Sequence, residues 1–132
     1  MKQYMLDTNT ISHLIKEHPA VARRVVSAPM ASLCISAITE GELLFGLAKR
    51  PHAKRLHHAV MEILRRVTVL PWDRTAAESY GTLRATMERQ GKILAPLDLL
   101  IATQALSVSA VLVTNDRAFG QVSELHIEDW TQ

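Results

Sequence analysis

Three aspartates in this sequence stand beside apolar residues instead of polar ones. Asp7 closes the run Tyr4-Met5-Leu6, and Asp116 comes shortly after the β-branched run Val111-Leu112-Val113. Both positions read as the C-terminal ends of strands, and ligands of open α/β sheets bind in the crevice beyond those ends. Two carboxylates delivered there from separate strands would meet. Asp98 opens a helical segment in which Ile101, Ala102 and Ala105 follow at three, four and seven residues, so it shares their apolar face. A carboxylate held there without a partner takes up a proton or finds a counter-charge, and a divalent cation is one such partner. A fourth acid is expected from the helix 37–47, which carries Glu40 and Glu42. Glu40 shares a face with Leu43, Leu44 and Leu47, and Glu42 with Ile38, Phe45 and Gly46, so helical geometry leaves the choice open.

Each aspartate also has an ordinary explanation. Asp7 can cap the helix that follows it. Asp98 can face a helix dipole from the first turn, and Asp116 can be a turn residue within Thr114-Asn115-Asp116. Three such positions at matching structural locations favour a site. Hard oxygen donors without cysteine or histidine suit Mg²⁺ or Mn²⁺ and suit zinc poorly. Ions held this way activate water and stabilise the leaving oxygen in an in-line displacement at phosphorus. The six histidines lack the His-Glu-x-x-His spacing of a metalloprotease, and no Ser-His-Asp or Cys-His arrangement offers a side-chain nucleophile.

The elements that position these acids alternate along the chain. Strands are expected at 3–6, 31–35, 67–70, 110–113 and near 125–127. Helices are expected at 8–16, 19–27, 37–47, from Pro51 through the stripe Leu56, Val60, Ile63 and Val67, at 73–90 and at 96–106. Pro19 and Pro96 suit first turns, Ser36 and Asp73 are caps, and Gly91 is a helix terminator. The helix from Pro96 is apolar on nearly every side and belongs at the centre. Short strands separated by helices imply parallel pairing with helices on both faces. The expected class is α/β, a three-layer sandwich around a short, mainly parallel sheet.

Composition narrows the function classes. The chain has 132 residues, 48% apolar and 21% charged, with five glycines and five prolines, which excludes a low-complexity or collagen-like segment. Residues 1–132 are expected to form one domain. The single cysteine, Cys34, cannot form an internal disulfide, and no apolar run approaches the roughly 20 residues of a membrane span. The opening residues lack a signal-peptide pattern. A cytoplasmic, membrane-free protein is expected. The net charge of +2 is mild, but the segment 49–66 concentrates cations. Lys49, Arg50, Lys54 and Arg55 are candidate contacts to phosphate groups, against the alternative of a solvated helix face that also takes in Arg65 and Arg66. With few aromatic residues, base stacking is not expected to dominate recognition. Trp72 and Trp130 are expected as core or edge anchors.

MLDTNTIS at 5–12, ISAITEGELLFG at 35–46, APLDLLIATQAL at 95–106 and LVTNDRAF at 112–119 resemble the four acidic motifs of PIN-domain ribonucleases. The match in order and spacing is closest to VapC toxins of bacterial type II toxin–antitoxin pairs, including the enteric group that cuts initiator tRNA. The resemblance implies Asp7, Glu42, Asp98 and Asp116 as the catalytic acids. Glu42 is chosen over Glu40 because the family's glutamate directly precedes leucine, with glycine four residues on. Asp7, Asp98 and Asp116 would bind Mg²⁺ or Mn²⁺, Glu42 would act directly or through water, and Thr114 and Asn115 would orient the site. The implied reaction is endonucleolytic hydrolysis of RNA to a 5′-phosphate and a 3′-hydroxyl, with a tRNA anticodon loop as the leading substrate. Also implied are a homodimer, a VapB-type antitoxin whose C-terminal segment covers the acids, and operator DNA bound only by the toxin–antitoxin complex. The alternatives are a non-toxin PIN nuclease of RNA processing or decay, and a catalytically silent PIN binding module. A silent module usually lacks a pocket acid, whereas all four regions here keep one. A phospho-accepting receiver and an aspartate phosphatase fare poorly, because Thr8 and Asn9 stand where each would need a further acid.

Overall fold

The computed structural model describes residues 2–132. The elements run β1 (Tyr4–Leu6), α1 (Thr8–Ile15), α2 (Pro19–Ser27), β2 (Leu33–Ser36), α3 (Ala37–Ala48) and α4 (Lys54–Arg66). They continue β3 (Thr68–Leu70), α5 (Arg74–Arg89), α6 (Pro96–Ser107), β4 (Val111–Val113) and β5 (Ile127–Glu128), with single 3₁₀ segments at Met30–Ser32 and Arg117–Gln121. The strand order is β3-β2-β1-β4-β5. All four pairings are parallel, with Tyr4 opposite both Leu33 and Val111.

Alternation along these short strands divides the interior into two cores. Met5, Cys34 and Leu112 face α5 and α6, packing with Leu83, Met87, Ile101, Ala102 and Ala105. Their neighbours Leu6, Leu33, Ile35 and Val113 face the other way, against Ile11, Val21, Leu43, Leu47, Val60 and Trp130. Both faces of the sheet are therefore covered, as a parallel sheet requires, and the result is an α/β/α sandwich. The helix α6 is buried at five consecutive residues from Ile101 to Ala105. Complete burial of a side chain such as Ile101 contributes about 1.5–3 kcal/mol. The Gln104 amide donates to the carbonyls of Leu70 and Pro71 at 3.3 and 2.8 Å, tying α6 to the end of β3. Burial pushes the Cys34 thiol up to about 11, so it stays protonated within the core.

Local chemistry sets the boundaries. The Ser36 hydroxyl accepts from Ile38 N at 3.0 Å and Asp73 Oδ1 from Ala76 N at 3.0 Å, capping α3 and α5. Gly91 takes φ 68°, with Gly91 N donating to Glu88 O and Lys92 N to Met87 O, a Schellman closure of α5. Most expected boundaries hold to within one residue, and three move further. Residues 30–32 form a 3₁₀ turn, because Pro29 O accepts both Ser32 N and Ser32 Oγ, and β2 begins only at Leu33. Pro51 lies in a turn closed by Ala53 N donating to Arg50 O, so α4 begins at Lys54. The last strand is Ile127–Glu128 rather than 125–127, and Leu125 packs into the core instead. Among the described residues no helix is long and apolar enough to cross a membrane.

Candidate active site

The chain leaves β1 toward β2 and β3 on one side, then returns to place β4 on the other side of β1. The gap beyond the ends of β1 and β4 is thus the topological switch point of the sheet, the place where such folds bind ligands. Asp7 leaves β1 into this gap, and Thr114, Asn115 and Asp116 leave β4 into it.

Asp7 is only 3% exposed. Its Oδ1 accepts from Thr10 N at 2.8 Å, so it caps α1 while contributing its charge to the gap. The capping role and the site position are compatible. Thr10 Oγ1 donates to Val113 O at 2.8 Å and Asp7 N donates to Val113 O at 3.1 Å, fixing the start of α1 to the end of β4. Burial holds the Asp7 carboxyl above its ordinary range; the hydrogen-bonding groups of Thr114 and Thr10 oppose this, and the charge of Asp116 adds to it.

Asp98 lies in the first turn of α6, half-buried. Its carboxyl is also held above the ordinary range, first by burial and then by the charges of Asp116, Glu42 and Asp7. Asp98 thus feels the other three acids at once, and the four motifs, separated by up to 109 residues in sequence, converge on one place. Of the two glutamates on α3, Glu42 is the one tied to α1 and the one whose charge reaches Asp98. Thr8 Oγ1, on α1, donates to Glu42 Oε1 at 2.6 Å, and Thr8 also lies 3.4 Å from Thr39 Oγ1. Glu40 is equally half-buried but takes no part in this network. Asp116 Oδ1 accepts from Ala118 N at 2.9 Å, and Asp116 N donates to Thr114 Oγ1 at 3.0 Å. A cavity of about 250 Å³ borders Asp116, lined also by Thr114, Asn115, Arg117 and Ile127.

Thr114 is buried against Asp7, whereas Asn115 is exposed and its side chain makes no hydrogen bond among the described residues. Thr8 and Thr10 are not among the residues expected at the site, although hydroxyl residues directly after an acid at a strand end are a usable signal. The basic candidates Lys49, Arg50, Lys54 and Arg55 lie at the end of α3 and the first turn of α4, all exposed. Arg65 and Arg66 close α4 just before β3, at the edge where strands begin and away from the acids. There they pair with Glu62, at 2.8 and 3.7 Å.

None of the four acids has a lysine, arginine or histidine partner among the described residues. Nor are three of them drawn in tightly enough to form a closed ligand set. The donor set nevertheless fits a hard divalent cation: oxygen ligands, no sulfur or imidazole, and two carboxyls, Asp7 and Asp98, raised first by burial and further by neighbouring negative charge.

The PIN domain, as a sequence family, matches residues 4–125. The chain belongs to the PIN-domain family. The tRNA(fMet)-specific endonuclease VapC of Shigella flexneri is 36% identical over 132 residues, covering 99% of this chain and all of that protein. Ribonuclease VapC2 of Haemophilus influenzae is 33% identical over 131 residues, 98% of this chain and 99% of that protein. The crystal structure of DNA-bound VapBC from Salmonella typhimurium superposes with a TM-score of 0.91 at 37% identity, covering 98% of this chain and 99% of that one. PIN-domain nucleases depend on divalent metal, which agrees with the donor chemistry of this site.

Proposed function

We propose that this PIN-domain chain is the toxin of a VapBC-type pair, an Mg²⁺- or Mn²⁺-dependent endoribonuclease. The observation that supports this most strongly is Asp98, half-buried in the first turn of α6 with no cationic partner among the described residues, its carboxyl raised first by burial and then by the charges of Asp116, Glu42 and Asp7. Asp7, Asp98 and Asp116 would hold the cation, and Glu42, steadied by Thr8, would complete the cluster directly or through water. When bound, a divalent cation supplies an activated water at neutral pH and counter-charge for the phosphoryl group.

The chain's own residues do the positioning. Asp7 is locked by its cap on α1 and Asp116 by its bond to Ala118 N, so the two are fixed on opposite sides of the switch point. Thr114 orders the loop that carries Asp116. Rigid acids at fixed separation lower the reorganisation cost of binding and reaction. Hydrolysis by water needs no side-chain nucleophile. The exposed cations Lys49, Arg50, Lys54 and Arg55 would contact the RNA backbone.

The whole-length likeness to a tRNA(fMet)-specific endonuclease supports initiator tRNA, cut in its anticodon loop, as substrate. The likeness to a DNA-bound VapBC supports a VapB-type antitoxin as partner, with operator DNA bound by the complex. The homodimer implied by the sequence resemblance and a cytoplasmic location complete the proposal, and residues 1–132 would act as one domain.

The test is to incubate purified protein, free of antitoxin, with total bacterial RNA and Mg²⁺ or Mn²⁺ and map the ends at single-nucleotide resolution. Cuts confined to one tRNA anticodon loop, suppressed by EDTA, are the expected result. Intact RNA with folded protein would overturn the nuclease reading; cuts spread through mRNA would overturn the tRNA substrate.

A further inference from the structure

The chain has six Phe, Tyr and Trp residues, and five of them are packed or half-buried. Trp130 and Phe119 are core residues. Tyr4 packs on Trp130, and Trp72 and Tyr80 pack on each other, with Trp72 Nε1 donating to Leu100 O at 3.0 Å. Phe45 alone is exposed, at 62%. Its place is specific. On α3 it follows Glu42 by three residues, so the two share a face about 5–6 Å apart at their β-carbons. Lys49 follows one turn later and sets its Nζ over the Phe45 ring, 4.6 Å from the centroid. One helix face therefore presents an acid of the cluster, then an open aromatic ring, then a cation.

An exposed phenyl ring is unfavourable in water unless something covers it. The covering group must suit both a flat π-face and adjoining positive charge. A nucleobase attached to a phosphate has that chemistry: the base stacks on the ring and the phosphate meets the ammonium. Arg50 follows Lys49 directly, and Lys54 and Arg55 open the next helix, all without carboxylate partners among the described residues. An apolar protein segment would cover the ring but would leave those charges uncompensated.

We propose that Phe45 is a stacking platform for an unpaired base of the RNA strand, with Lys49 contacting the adjacent phosphate, next to the acidic cluster. The inference rests on the ribonuclease reading above and adds a base-binding position to it. It adds one stacking contact to a surface on which aromatic stacking is not expected to dominate. One well-placed ring is enough to select single-stranded RNA, because every base has a π-face whereas a paired base is already stacked.

The test is RNA binding in EDTA, where cleavage is silent. It uses a single-stranded RNA oligonucleotide carrying 2-aminopurine and compares wild type with Phe45→Ala, Phe45→Leu and Phe45→Tyr. Stacking on wild-type protein and on Phe45→Tyr should change the 2-aminopurine fluorescence. Phe45→Ala and Phe45→Leu should both lose that change and bind about 5- to 100-fold more weakly. Leucine keeps the apolar bulk, so its failure separates stacking from simple burial, and an exposed position makes misfolding an unlikely confounder that circular dichroism excludes.

If wild type cleaves RNA with metal but all four proteins bind the oligonucleotide alike, the stacking inference falls and the nuclease reading stands. If wild type neither binds nor cleaves, both fall. If RNA binding is unchanged but Phe45→Ala no longer retains a co-expressed VapB-type antitoxin, the ring belongs to a protein interface and the inference is overturned.

Discussion

Glu62 accepts from Arg65 at 2.8 Å with Arg66 beside it, Glu128 is held by Arg24 at 2.9 Å, and Glu88 by Arg84 at 2.9 Å. Asp7, Glu42, Asp98 and Asp116 have no such partner among the described residues, although the chain carries 15 lysines and arginines against 13 acids. The first group sits on helix surfaces and at the sheet's last strand, where an ion pair is cheap to form and cheap to lose. The second converges where β1 and β4 end, partly out of water, where unpaired like charges repel. Three acids outside the cluster are paired and none of the four within it is, so the cluster has a charge deficit for something outside the chain to fill. The most disruptive way to probe that contrast is to remove a charge from the unpaired group. Asp98→Asn and Asp7→Asn should each reduce metal-dependent RNA cleavage by more than the roughly 10- to 100-fold typical of outer-shell partners. Asparagine is as good a cap as aspartate, so Asp7→Asn keeps the start of α1, and normal circular dichroism with lost cleavage is the expected pair of results. Retained cleavage in Asp98→Asn would remove Asp98 from the site.

A cation that binds only the folded chain must also stabilise it. At a hundred times its dissociation constant, Mg²⁺ or Mn²⁺ should add about 2.7 kcal/mol, which for a chain this size raises the melting temperature by on the order of 10 °C. Calorimetry with and without the ion measures it. The increment should vanish in Asp98→Asn and persist in Glu62→Gln. An equal increment in both variants would place the cation elsewhere.

A smaller effect appears without metal. Because the Asp98 carboxyl is held above its ordinary value of 3.8, the folded chain binds this proton more tightly than the unfolded one. The metal-free protein therefore loses stability as pH rises from that ordinary value through the raised one, and it stays less stable above it. Asp98→Asn escapes the loss. In EDTA it should melt higher than wild type at neutral pH, and the gap should close as pH falls toward 4. A variant no more stable than wild type at neutral pH would mean that the acids are not under the strain described above.

The contrast between paired and unpaired acids was half visible in the sequence. Asp7, Asp98 and Asp116 announced themselves because each followed or faced an apolar run, and strand ends and helix starts can be read from β-branched runs, prolines and caps such as Ser36 and Asp73. The choice between Glu40 and Glu42 could not be read from the residues alone. The helix α3 is apolar nearly all round, so periodicity gives no preferred face, and the hydrogen bond that sets Glu42 apart comes from Thr8, 34 residues earlier. The same flat pattern hid Phe45, because an aromatic on a mostly apolar helix reads as core until the packing shows which side is left uncovered. The helix start expected at Pro51 moves to Lys54 for a different reason. Proline permits either a first helical turn or a bend before one, and the backbone hydrogen bonds around it decide.

The gentlest probe works on the paired group. Glu62 is the only acid between Lys49 and Arg66, and its side chain is 31% exposed while Arg65 and Arg66 extend into solvent. In Glu62→Gln the amide still reaches the two guanidinium groups but no longer carries charge, so the loss should be within about 1 kcal/mol and should shrink further as salt rises. Cleavage should be unchanged, since these arginines lie at the edge where the strands begin. If cleavage instead increased because Arg65 and Arg66 were freed to meet RNA, the phosphate-binding surface would have to extend the whole length of α4, about 20 Å, and the restriction of the RNA contacts to Lys49, Arg50, Lys54 and Arg55 would be wrong.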